Sequence, residues 1–230
     1  MKGRQFTQKL SLKLATEISN GAIENAKSLY EDAKLLYDNE KYARAISLAI
    51  LSIEESGKLS IIRSILLEDD SKEISKLWKS YRRHQDKNSM WIVPELIFKG
   101  ATKLDDLRKV VDKNSDHFQI LDDLKQLCFY SDVFTKGKLS VPKNVANKKV
   151  AQSILDIAKI NITDVSPTEE SLEIWVKHLK PVWKQEMHKM KLALKNCYLE
   201  LEAKKIIKKG MASKMEDFLA PNNSLAKNDF

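Results

Sequence analysis

Residues 45–67 read AISLAILSIEESGKLSIIRSILL. Wound as a helix, this stretch is apolar over most of its circumference, and a helix apolar nearly all round is buried on every side. Extended back to about Tyr42, it reads as the central helix of a bundle. Its partner lies just upstream. Between Asn20 and Tyr37, apolar residues recur at Ile23, Ala26, Leu29, Tyr30, Ala33, Leu36 and Tyr37, the three-and-four spacing of a helix with one buried face. The polar run from Asp38 to Lys41 makes a tight connection, and short connections join antiparallel neighbours. The fold class expected is all-α, an up-and-down helical bundle.

Downstream, Asp70 followed by Glu73 reads as a capping pair for a helix starting near Ser71, which turns Ile74, Leu77, Trp78 and Tyr81 inward and continues through Lys87. Trp91 to Gly100 reads as irregular or as a short helix interrupted at Pro94, Thr102 to Lys113 as another short helix, and Ser115 to Val133 as a longer one. The clearest loop is Thr135 to Pro142, where Gly137 and Pro142 break the helical pattern. A helix from about Asn144 to Ile162 follows. Ser166-Pro167-Thr168-Glu169 then reads as a helix start with Ser166 as N-cap and Pro167 at the first helical position. From it one long helix is expected to reach about Gly210, kinked at Pro181. No strand and no repeat is predicted. Residues 1–135 would form the bundle core, 136–210 helices completing the same domain and ending in a basic amphipathic helix, and 211–230 a frayed tail.

The chain has 230 residues, with only 6 Gly and 5 Pro, which argues against collagen, disorder and large β-sandwiches. No apolar run spans a bilayer and the start lacks the apolar stretch of a secretory signal, so a cytoplasmic protein with no membrane contact is expected. Cys128 and Cys197 are solitary, far from any zinc-ligand spacing, and no Gly-rich phosphate loop, HExxH or GxSxG is present. No metal and no cofactor is expected. The net charge of +8 is local: residues 177–214 hold 11 Lys and three acids, and the remaining chain balances at 29 of each sign.

Four constellations could carry chemistry. Glu54-Glu55-Ser56-Gly57-Lys58 sits inside the most apolar helix, where Glu54 and Lys58 are spaced for a salt bridge along the helix. Either Gly57 lets another helix approach and the charges occupy an exposed sliver, or the charges pair into a polar site or dimer contact. Arg82-Arg83-His84-Gln85-Asp86-Lys87 is either a solvated helix end, or a place where histidine exchanges a proton and arginine holds a phosphate. The stretch from Leu124 to Asp132 carries Lys125, Cys128, Tyr130, Ser131 and Asp132 with no face that periodicity alone assigns. Lys177, Lys180, Lys184, His188, Lys191 and Lys195 recur every three or four residues opposite an apolar stripe through Leu172, Trp175, Leu179, Trp183, Met190, Leu194 and Leu201. That basic face is either solvated or the contact for nucleic acid or an acidic partner. The lone His117 and His178 read as surface or capping residues.

Glu24-Asn25-Ala26, Leu29-Tyr30-Glu31-Asp32-Ala33, Tyr42-Ala43-Arg44-Ala45, Leu48-Ala49 and Ile53-Glu54-Glu55-Ser56-Gly57-Lys58 together resemble the AbiV family of bacterial abortive-infection proteins, within the wider HEPN group of helical bundles. His84-Gln85-Asp86-Lys87 is similar to the family's HxxK, and Leu124-Lys125 with Phe129-Tyr130-Ser131-Asp132 to its Lys-rich LYxD segment. The resemblance covers roughly residues 20 to 135, and its most specific element is EExGK inside a YARA…LAI helix.

It implies a HEPN-like bundle with additional C-terminal helices. It also implies a cytoplasmic phage-defence factor that arrests growth or translation, forms a homodimer, meets RNA or the ribosome, and answers to a phage-encoded activator. Glu54, Glu55, Lys58, Lys87, Lys125, Tyr130 and Asp132 would be its polar family motif. Many HEPN proteins are metal-independent endoribonucleases with an Arg four to six residues before a His. Here the closest permitted position before His84 holds Lys79, while Arg82 and Arg83 stand too near. A nuclease would thus use His84 with Lys79 or Arg83.

Overall fold

A computed structural model describes residues 5–112, 116–134, 137–163 and 165–221. Helix α1 (Leu12–Asp38) begins at Ser11, whose hydroxyl accepts from the Leu14 amide. It starts well before Asn20, because small Ala15 and Ser19 are buried and continue the inward face. Glu40 takes a left-handed conformation in the connection, and α2 (Tyr42–Leu67) returns antiparallel: Tyr37 meets Tyr42 edge-on at the turn, and Ser52 donates to the Ala26 carbonyl further along.

Helix α2 is the central element expected. Ile46, Ile50 and Ile53 pack with Ala33, Leu121, Ile154 and Leu155, while Ile62, Ile65 and Leu66 pack with Ile74, Trp78 and Leu172. Leu67 joins Ile174, Leu179, Cys197 and Leu201. Burying each of these isoleucine and leucine side chains contributes about 1.5–3 kcal/mol.

Helix α3 (Ser71–Arg82) is capped as expected by Asp70, which accepts from the Lys72 and Glu73 amides. It stops at Arg82, earlier than expected. Arg83 is extended, and the chain turns into the short α4 (His84–Lys87), a 3-10 turn at Ser89–Ile92 and α5 (Val93–Phe98). The short helix expected between Thr102 and Lys113 is a 3-10 helix, Leu104–Val111.

Helix α6 (His117–Phe129) also ends earlier than expected, and in place of strand-free chain a small antiparallel hairpin follows: β1 (Asp132–Phe134) pairs with β2 (Lys138–Ser140), Val133 opposite Leu139. The expected helix start at Ser115 and loop residues Thr135 and Lys136 lie outside the described residues. Helix α7 (Pro142–Val145) and α8 (Lys148–Asn161, capped by Asn147) divide what periodicity joined.

The N-cap of α9 (Glu169–Leu179) is Thr168 rather than Ser166. Thr168 and Ser171 exchange side-chain and backbone hydrogen bonds in a capping box, and the Pro167 carbonyl accepts from Asn20. The single long helix is instead two, α9 and α10 (Met187–Ala203), and a further helix, α11 (Met211–Leu219), follows. Pro181 brings a 3-10 turn, Lys184 and Lys205 adopt positive φ, and Gly210 at φ 88° starts α11. The expected tail is thus helical to Leu219, and 222–230 lie outside the described residues. Among the described residues no helix is long and apolar enough to cross a membrane.

Candidate functional site

Glu54 is charged, yet it sits on the core side of α2 with its side chain 2% exposed. An unpaired carboxylate there would cost several kcal/mol, so it must be met by cations. Three come to it. Lys125 of α6 donates to Oε1 at 2.7 Å, Lys87 of α4 stands 3.5 Å from Oε2, and His84 Nδ1 lies 2.6 Å from the same oxygen.

Gly57 makes this approach feasible. A β-carbon at residue 57 would lie 2.9 Å from the Lys87 carbonyl carbon and nearer still to its oxygen, so only glycine lets α4 rest on α2. The close approach read from Gly57 is therefore real, and the approaching element is α4.

The salt bridge expected between Glu54 and Lys58 does not form. With both Glu54 oxygens taken by α4 and α6, Lys58 turns to Glu55 at 2.6 Å and lies 5.1 Å over the Tyr81 ring. Lys125 also reaches Asp122 at 2.8 Å. Glu54, Glu55 and Asp122 thus face Lys58, Lys87 and Lys125, and the cluster is neutral when His84 is neutral. Burial holds the Lys87 ammonium below the ordinary lysine range, opposed by the attraction of Glu54. Asn88, next in sequence, is fully buried, and its amide has no partner among the described residues.

His84 is the member that reaches solvent, with its side chain 52% exposed. An ionised Glu54 requires the hydrogen on Nδ1, which leaves Nε2 of the neutral ring as an outward acceptor. That arrangement suits proton exchange with a molecule on the surface. Arg83, 69% exposed and 3.9 Å from Asp86, and exposed Lys79 supply nearby positive charge. Arg82 is engaged within the fold, donating to the Trp78 and Phe6 carbonyls and stacking on Trp78.

Tyr130 and Asp132 stand apart from the cluster. Since α6 ends at Phe129, Tyr130 is exposed and Asp132 accepts from the Val133 amide in the hairpin, and both line a groove with Asp123 and Leu127.

The five lysines of the expected basic face are each held by a carboxylate: Lys177 by Glu200, Lys180 by Asp69, Lys184 by Glu68 and Glu73, Lys191 by Asp105 and Lys195 by Glu216. Part of the charge concentrated in this stretch of the sequence is thus compensated in the fold, at Lys180, Lys184 and Lys191 by acids of distant segments. Glu68 is held strongly. Lys184 at 2.6 Å is the main cause of its pKa falling to about 2, helped by the Asp70 and Asp69 amides and the Trp183 indole.

His117 is buried rather than on the surface, at the start of α6, where its carbonyl accepts from Trp91. His178 is half-buried against Glu200. Burial pushes both cysteine thiols up to about 11, so neither is poised as a nucleophile. Among the described residues no group of three His, Cys, Asp or Glu could hold a metal ion.

Sequence reasoning missed Asp122 and Glu68. Asp122 had a signal, three residues before Lys125 on one helix face. Glu68 had none beyond its place in an acidic run after α2.

Residues 14–163 match the family model HEPN_AbiV, described as AbiV. The matched span runs from α1 to α8 and contains every member of the Glu54 cluster. No curated protein and no solved structure gives a match. With more than half of its length matched, the chain belongs to the AbiV family of HEPN proteins, a family of abortive infection and phage defence.

Proposed function

We propose that this phage-defence protein arrests growth or translation in the infected cell by engaging RNA, the ribosome or a translation-related partner through the face around His84. In this reading it acts as a homodimer and is triggered by a phage product. The observation that carries the reading is the contact between Glu54 and His84. A fully buried carboxylate fixes one ring nitrogen of a half-exposed histidine, so the other meets solvent in a defined orientation beside Arg83. Orienting a surface histidine from beneath has an evident use where the ring must bind or exchange a proton with something outside.

The same contact favours a second reading, cleavage of RNA without a metal. The RNA 2′-hydroxyl would attack the adjacent phosphorus while His84 Nε2 takes its proton. The P–O5′ bond would break and the proton held by His84 would pass to the departing oxygen, leaving a 2′,3′-cyclic phosphate and a 5′-hydroxyl, and Arg83 or Lys79 would stabilise the charge on the phosphorane. Lys177, Lys191 and Lys195 of α9 and α10 are less suited to hold the polyanion, since carboxylates already occupy them.

A cell-free translation reaction, run with and without phage extract, tests the primary reading with wild type, His84→Ala and Arg83→Ala. Inhibition by wild type that is lost in the variants is expected, and translation untouched by wild type under both conditions would end the proposal. For cleavage, total RNA incubated with chelator should yield cyclic-phosphate ends with wild type only; intact RNA with both wild type and His84→Ala removes that reading.

A further inference from the structure

A cavity of about 340 Å³ opens where α1, α2, α9 and α10 meet, and it shares no residue with the Glu54 cluster. Apolar walls come from Leu59, Leu172, Leu201 and Ile207. Among its polar residues Ser171 is already committed to the capping box of α9, whereas Arg63, Trp175 and Tyr198 are not.

Arg63 contacts the Trp175 ring, 5.3 Å from its centroid, and has no ion pair or hydrogen bond among the described residues. That sets it apart from the five compensated lysines of the same region. Its charge is felt inward, by the Tyr198 hydroxyl and the Cys197 thiol. The Trp175 indole Nε1 is buried with no hydrogen-bond partner, and Tyr198 likewise has none among the described residues. No carboxylate stands among the described lining residues. The cavity therefore offers a cation and a phenol with an apolar body around them, the pattern of a small-molecule site.

We propose that this cavity binds a small amphipathic anion, its carboxylate or phosphate head held by Arg63 and its apolar body lying among Leu59, Leu172, Leu201 and Ile207. Guanidinium recognises either head group through paired N–H donors, and the Tyr198 hydroxyl is a further donor in the same wall. Because α1 and α2 lie within the family-matched span and α9 and α10 beyond it, an occupant ties the C-terminal helices to the core and raises the melting temperature.

Octanoate and phenyl phosphate are the probes, with octan-1-ol as the neutral control, followed by tryptophan fluorescence and thermal shift on the full chain. Saturable binding of at least one anion is expected, and which one binds identifies the head group. Arg63→Gln, a change at an exposed side chain, should weaken that binding by about tenfold or more while leaving octan-1-ol unchanged. Tyr198→Phe, which keeps the wall, should weaken it as well, and circular dichroism verifies that both variants fold. Absence of saturable binding by either anion, or an affinity unchanged in folded Arg63→Gln, overturns the proposal.

Discussion

The backbone carbonyl of Lys87 occupies the space where a β-carbon of residue 57 would stand. With the Glu54 contacts to His84 and Lys87, this packing joins the core helix to the segment that bears His84. Alanine in place of glycine within a helix ordinarily stabilises by about 1 kcal/mol. Here the added methyl group must displace backbone, and overpacking costs about 1–3 kcal/mol. Gly57→Ala is therefore expected to lower the urea midpoint. A raised midpoint would show that α4 does not rest on Gly57.

Glu54→Gln keeps the shape of the side chain but removes the charge facing Lys87 and Lys125. Breaking a buried pair from one side costs about 3–5 kcal/mol. Lys125 retains Asp122, so the loss falls mainly on Lys87. The double variant Glu54→Leu with Lys87→Met removes both charges and should recover a good part of that loss. Urea unfolding of wild type and the two variants measures it; a double variant less stable than Glu54→Gln would contradict the pairing.

Glu68 has a folded-state pKa of about 2, below its ordinary value of 4.5. A carboxylate depressed on folding contributes stability that is fully present above its unfolded pKa and lost as pH falls through the folded one. Wild type should thus exceed Glu68→Gln in melting temperature by a constant margin above about pH 5, narrowing between about pH 4.5 and pH 2. Parallel melting curves across that window would show that Glu68 is not held this way. Added salt should shrink the margin, because Lys184 is partly exposed.

Lysines already bound to carboxylates release few counterions when a polyanion arrives. Each phosphate neutralised contributes about 0.7–0.9 to the slope of log affinity against log salt. In nitrocellulose binding of RNA, Arg83→Ala is expected to reduce that slope by about 1, whereas Ala at 184, 191 and 195 together leaves it unchanged and lowers stability instead. A slope that falls by about 2 or more in the triple variant would return the polyanion contact to α10 and the turn before it.

The hairpin of α1 and α2 was legible because helical periodicity is local: Ile23, Ala26 and Ala33 report a buried face within a few turns. Asp70 was legible as a cap for the same reason, and Gly57 as a point of close approach because no other residue in α2 lacks a side chain. Start and stop signals failed where a competing local bond was better. Thr168 took the cap from Ser166 by pairing with Ser171, and Arg83 became extended instead of continuing α3.

The sequence by itself determined the central helix, its antiparallel partner and the family's polar residues. Only the tertiary structure decided which of those residues meet. Lys125 and His84 lie 71 and 30 residues from Glu54, and which carboxylate a lysine finds depends on how helices cross. For the same reason Glu54 was given to Lys58 along the helix when it belongs to α4 and α6. The basic face of the last helices likewise proved compensated by acids as far away as Glu68 and Asp105. Periodicity follows from the geometry of one helix, but a buried charge is settled by its neighbours in space, because desolvation makes pairing obligatory without saying with whom.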